Sequence, residues 1–125
     1  MKKQIATDKA PAALGPYSQA IAAGGMLYCS GQVPIVPQTG EVAAGGIEAQ
    51  ARQVFENLRQ VLAAAGADFG KVVKTTVFLT DLANFAAVND IYAEYFITPY
   101  PARSCVQVAA LPKGVLLEVE LIAEL

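Results

Sequence analysis

The sequence predicts an α+β fold, a mixed β-sheet with two helices packed on one face. Two observations carry this. Two segments repeat apolar residues at helical spacing, and five strand-like runs flank and separate them, giving the order ββ-α-β-α-ββ. Two helices cover only one face of such a sheet. The other face still carries apolar groups, so it is expected to pack against copies of the chain. A chain of 125 residues is read as one domain, 1–125, with a single core.

GPYSQAIAAGGMLYCSGQV reads as two short strands around Gly24-Gly25, a hairpin turn signal. The stretch PIVPQTGEVAAGG follows as a loop. IEAQARQVFENLRQVLAAAGA is the clearest helix. Ile47, Ala51, Val54, Phe55, Leu58, Val61, Leu62 and Ala65 share one face, and Gly66 ends it. Glu48, Gln50, Arg52, Glu56, Asn57 and Arg59 are assigned to the polar face. Residues 71–80, KVVKTTVFLT, are β-branched and strand-like. DLANFAAVNDIYAEYF forms the second helix, with Asp81 or Asn84 as its cap and Thr98-Pro99 as its end.

PARSCVQVAALPKGVLLEVELIAEL reads as a closing hairpin turned by Leu-Pro-Lys-Gly. Arg103, Cys105 and Gln107 share one face of the first strand, and Glu118 and Glu120 share one face of the second. The hairpin is expected to bring both faces to the same side. Two readings stay open here. Arg103 pairs with Glu118 or Glu120 across the hairpin, or it holds an anionic ligand while one Glu handles water or a proton.

Composition narrows the chemistry. There is no His, which removes the commonest metal ligand and the commonest general base. Catalysis then falls to carboxylates, Tyr, Cys, Lys, backbone groups or water. No zinc spacing, H-E-x-x-H or G-x-G-x-x-G is present, and GADFGK is one residue short of a phosphate loop, which narrows the chemistry to something mild. The net charge of −2, with no basic cluster beyond Lys2-Lys3, argues against strong nucleic-acid binding. No apolar run approaches the roughly 18 residues of a membrane span. MKKQIATDKAPAA has no apolar core behind its lysines and does not read as a signal peptide. The expectation is a cytoplasmic protein with Cys29 and Cys105 reduced. Apolar residues make up 54% and charged ones only 16%, against about 25% in ordinary domains, which points to a homo-oligomer.

Several motifs occur together in order: GPYSQA (15–20), SGQVP (30–34), VNDIY (88–92), PARSCV (101–106), LPKG (111–114) and EVELIA (118–123). With them the chain resembles the reactive intermediate deaminase A family, the RidA-like or YjgF type, over nearly its whole length. The resemblance implies a chorismate-mutase-like fold and a homotrimer with a site in each cleft between subunits. It implies hydrolysis of 2-iminopropanoate or 2-iminobutanoate to the 2-oxo acid and ammonia, without metal or cofactor. On this mapping Arg103 binds the substrate carboxylate and Glu118 orients the attacking water. Tyr17 and Ser30 line the pocket, Gly31 allows a close backbone approach, and Asn89 and Cys105 complete the set.

Read without that resemblance, Cys105 is a small pocket-lining or core residue rather than a nucleophile, having no His beside it. Lys74 is a solvated strand lysine, and Glu120 an edge charge. Gly45-Gly46 and Tyr100 are expected to lie away from the mapped site. The competing functions are a non-catalytic trimer that binds a small carboxylate, an RNA-directed translation inhibitor or endoribonuclease, and a holdase.

Overall fold

The computed structural model describes residues 1–125. Its main sheet has six strands in the order β1-β2-β3-β8-β6-β7, and a two-stranded ribbon, β4-β5, stands apart. The strands are β1 (Lys3–Ile5), β2 (Ala20–Ala23), β3 (Met26–Gln32), β4 (Ile35–Val36), β5 (Glu41–Val42), β6 (Val72–Leu79), β7 (Ala102–Gln107) and β8 (Leu117–Glu124). The helices are α1 (Ile47–Ala64) and α2 (Phe85–Tyr95). Only β6 and β7 pair in parallel, so the sheet is mixed.

The β2-β3 hairpin turns at Gly24 and Gly25, both at positive φ, which glycine adopts without steric cost. Helix α1 follows the expected span and stops before Gly66, itself at φ +76°. Asp81 accepts from Ala83 N and caps a 3₁₀ turn, Leu82–Asn84, that leads into α2.

The apolar stripe of α1 packs on the alternating apolar side of β8. Val54, Phe55, Leu58, Val61 and Leu62 meet Leu117, Val119, Leu121 and Ala123 in one core cluster. Phe55 stacks on Tyr95 at 5.0 Å and meets Tyr92 edge-on at 5.8 Å, tying α2 to α1.

Four expectations need correction. The stretch PIVPQTGEVAAGG, read as a loop, carries the β4-β5 ribbon. Residues 3–5 add a strand, which pairs with β2 along the sheet edge. Gln50 and Asn57 are buried rather than solvated. Gln50 Oε1 accepts from Leu116 N at 2.8 Å, and Asn57 Nδ2 donates to the carbonyls of Val33 and Ile35. The helix therefore uses two polar side chains to bind irregular backbone, whose groups need partners once buried.

The closing hairpin is not formed. Strand β7 leaves α2 and pairs in parallel with β6, at the sheet edge. A turn at Pro112–Gly114, with Lys113 at φ 58° and Gly114 at φ 66°, then redirects the chain. Strand β8 enters between β3 and β6. The alternation LEVELIAE, with every second residue buried, suits a central strand, whereas β7 is mostly exposed and suits an edge.

Asn57→Ala removes the donor from two carbonyls beneath β4. It is expected to destabilise the chain by about 2 kcal/mol. Urea unfolding checks this, with a lower midpoint and an unchanged slope.

Candidate functional site

Strand parity decides where the mapped residues lie. Thr75 on β6 sits opposite both Arg103 and Leu121, while Phe78 sits opposite Glu118 and Thr76 opposite Glu120. Paired residues share a face. Arg103 is therefore on the helix side of the sheet, and Glu118 and Glu120 are on the uncovered side. This overturns the same-side expectation and the ion-pair reading together. The chain's ion pairs are Arg52–Glu94 and Arg59–Glu56, so Arg103 is the arginine with no carboxylate partner.

Tyr17, Ser30, Gly31 and Glu118 line one cleft of about 580 Å³. Its floor is the end of β3. Gly31 lies directly under the Glu118 side chain. A methyl group there would come within 2.8 Å of the Glu118 Cδ, so any side chain at 31 would force the Glu118 carboxylate to move. Ser30 Oγ donates to the Ser18 carbonyl at 2.6 Å, which commits its proton and leaves the oxygen as an acceptor.

Gln19 is a cleft-lining residue that sequence reasoning missed. It is buried, accepts from Thr7 N at 2.7 Å, and donates to the carbonyls of Thr7 and Pro11. These bonds hold residues 7–11 as one wall of the cleft. The signal was its place inside GPYSQA, beside Tyr17.

Glu118 is half-buried and its pKa is raised from 4.5, first by burial and then by the like charge of Glu120. Such a carboxylate is a better proton acceptor than a solvated one.

Arg103 and Asn89 line a second cleft, of about 410 Å³, with Tyr92, Ala93, Tyr100 and Pro101. Arg103 Nη1 donates to Asn89 Oδ1 at 2.7 Å. Tyr100, expected to be remote, is thus beside Arg103, because the turn after α2 folds it back over the start of β7. Cys105 lines neither cleft and packs against the core. Burial pushes its thiol upward, with partial relief from Arg103, so it is not held as a thiolate. Lys74 donates to Ser104 Oγ at 3.0 Å along the exposed sheet surface. Gly45 and Gly46 lie at the start of α1 and line neither cleft.

The fold and these motifs have close counterparts. The endoribonuclease L-PSP family description matches residues 7–125. The chain belongs to this family, that of the reactive intermediate deaminases, or Rid proteins. It is 52% identical to the chloroplastic reactive intermediate deaminase A of Arabidopsis thaliana, over 99% of this chain and 66% of that one. A crystal structure of a Rid-family protein from Yersinia pestis superposes with a TM-score of 0.98 at 53% identity, covering both chains fully. Escherichia coli TdcF, solved with bound serine, has a TM-score of 0.92 at 49% identity over 98% of each chain. The architecture is thus that of the Rid fold. No helix is long and apolar enough to cross a membrane.

The electrostatics of the Rid cleft give a stability test. Because the folded chain raises the pKa of Glu118, ionising this group opposes folding. That penalty is absent below pH 4.5, grows as pH passes it, and is complete above the raised value. Glu118→Gln is therefore expected to raise Tm at pH 7 and to have little effect at pH 4. Paired thermal melts at the two pH values check the sign.

Proposed function

We propose that the chain hydrolyses 2-iminopropanoate and 2-iminobutanoate to the 2-oxo acid and ammonia, in a site completed by two copies of the chain within a homotrimer. The observation that carries this is the separation of Arg103 from Glu118. Each lines its own cleft, on opposite faces of the sheet, and Arg103 has no carboxylate of its own. A small substrate cannot touch both in one chain. One subunit would supply Arg103 and Asn89, and its neighbour Tyr17, Ser30, Gly31 and Glu118. The names of the relatives support deaminase chemistry, and the serine in TdcF supports a ligand with a small carboxylate.

The chemistry follows from the groups. Arg103 keeps Nη1 on Asn89 and offers its remaining N–H groups to the substrate carboxylate. This fixes the imine carbon relative to Glu118. Water adds its oxygen to that carbon while Glu118 takes one of its protons. The C=N pair moves to nitrogen, which carries the proton of the iminium form. Ser30 Oγ, able only to accept, faces an N–H of the resulting carbinolamine. Tyr17, exposed at the rim, relays the proton held by Glu118 to nitrogen. The C–N bond then breaks, Glu118 takes the hydroxyl proton as that oxygen becomes the carbonyl, and ammonia leaves carrying that proton away. One water is consumed and no electrons are exchanged.

The family description supports a second reading, as an endoribonuclease. The clefts do not favour it. Each offers one cation, Lys113 or Arg103, and the chain has no His for acid–base work on a phosphodiester.

Arg103→Ala and Glu118→Ala are each expected to cut kcat/KM for 2-iminobutanoate by roughly 10²-fold or more, read as ammonia release above the protein-free rate. Unfolding and refolding the two inactive variants together gives the sharper test. Clefts that receive Arg103 from one variant and Glu118 from the other recover, restoring about a quarter of wild-type activity in a cyclic trimer. No recovery in mixed oligomers of three times 13.1 kDa would place the whole site in one chain. In wild type the acid limb of kcat/KM is expected above pH 4.5, and to disappear in Glu118→Gln.

A further inference from the structure

Arg103 is an exposed side chain on an edge strand, yet it is held from several sides. Its guanidinium lies 4.7 Å from the ring centroid of Tyr92 and 5.3 Å from that of Phe85, and it donates to Asn89 at 2.7 Å. Residues 85, 89 and 92 fall at i, i+4 and i+7, so one stripe of α2 faces this single side chain. Tyr92 is itself anchored. It is buried, and its hydroxyl shares a 2.9 Å hydrogen bond with Thr75 Oγ1, which is fully buried. Thr75 is also the register partner of Arg103 on β6. The anchor and the arginine therefore start from adjacent positions on neighbouring strands, and the Tyr92 ring bridges them.

A solvated edge arginine does not require this. Ordering its long side chain costs rotamer entropy, and no carboxylate in the chain offsets that cost. We infer that Tyr92, anchored by Thr75 and assisted by Phe85, is a positioning residue that holds Arg103 in its ligand-binding rotamer. The ring faces leave the guanidinium edge free for an incoming carboxylate, and the order is established before the ligand arrives. Affinity then rises because less freedom is lost on binding. The inference rests on the reading of Arg103 as the carboxylate clamp, but the seat itself is measured separately.

The test uses the whole protein and two readouts. The first is the Nε–H order parameter of Arg103 by NMR, simplified because the chain has only three arginines. The second is the Kd for 2-oxobutanoate by calorimetry, alongside KM and kcat. In Tyr92→Leu the order parameter is expected to fall below about 0.6, with Kd and KM rising about tenfold and kcat nearly unchanged. Tyr92→Phe keeps the ring but loses the Thr75 anchor, and should fall between wild type and Tyr92→Leu in order and affinity. Phe85→Ala, at a partly exposed position that can be vacated without opening the core, should show an intermediate loss of order and affinity. Combined with Arg103→Ala, Tyr92→Leu should weaken binding no further. Unchanged order in both Tyr92→Leu and Phe85→Ala overturns the inference, as does a Tyr92→Leu effect that persists in full without Arg103. If order is lost but Arg103→Ala binds 2-oxobutanoate like wild type, the seat stands and the clamp reading fails.

Discussion

Strand β8 is hydrogen-bonded along both edges, to β3 and to β6, so its side chains can only alternate between two environments. Leu117, Val119, Leu121 and Ala123 enter the core beneath the helices. Glu118 and Glu120 are forced to the other side. A shift of one residue would bury both carboxylates and expose four apolar side chains, so the register is strongly determined. Glu118 is therefore fixed by the packing of its neighbours rather than by bonds of its own. Its only concession is space, provided by the missing side chain at Gly31.

The two clefts are made rigid by different means. Around Glu118 the order comes from side chains that bind irregular backbone. Gln19 holds residues 7–11, Ser30 holds Ser18, and Asn57 holds the start of β4. Around Arg103 it comes from aromatic rings on a helix. On the proposed chemistry, backbone ties suit the first cleft, which has to hold the attacking water to within about 0.5 Å. Ring faces suit the second because they steady a cation without neutralising it.

What was legible in the sequence was local. The stripe from Ile47 to Ala65, the Gly24-Gly25 turn and the β-branched run before Asp81 each specify their element through nearby residues. Pairing is not local. Nothing in LPKG says that the strand after it pairs with β3 and β6 instead of with β7. That choice depends on β8 being apolar enough for the centre and β7 being polar enough for the edge. The motifs picked out Arg103, Glu118, Tyr17, Ser30, Gly31 and Asn89, which line the two clefts, but the wrong pairing put Arg103 and Glu118 on one side. Gln50 and Asn57 were misread because helical periodicity registers polarity, not the buried carbonyls awaiting those amides. Tyr100 was expected away from the site because its place beside Arg103 depends on the turn between α2 and β7, which no local pattern reports.

The separation of the two charges has a consequence for the chemistry. An arginine within reach of Glu118 in the same chain would pair with it, lowering the carboxylate pKa and occupying the clamp. Here the nearest charge to influence Glu118 is Glu120, of the same sign, and burial acts in the same direction. In the proposed assembly Arg103 enters from another subunit, but it meets the substrate carboxylate first. The bound anion neutralises the guanidinium, so Glu118 gains little from it and keeps its raised pKa while water is being activated. Covering the cleft with a second chain removes more solvent and adds to the shift. In this proposal the clamp and the base stay independent because each chain holds Arg103 and Glu118 on opposite faces of its sheet, and the ligand lies between one subunit's arginine and its neighbour's glutamate.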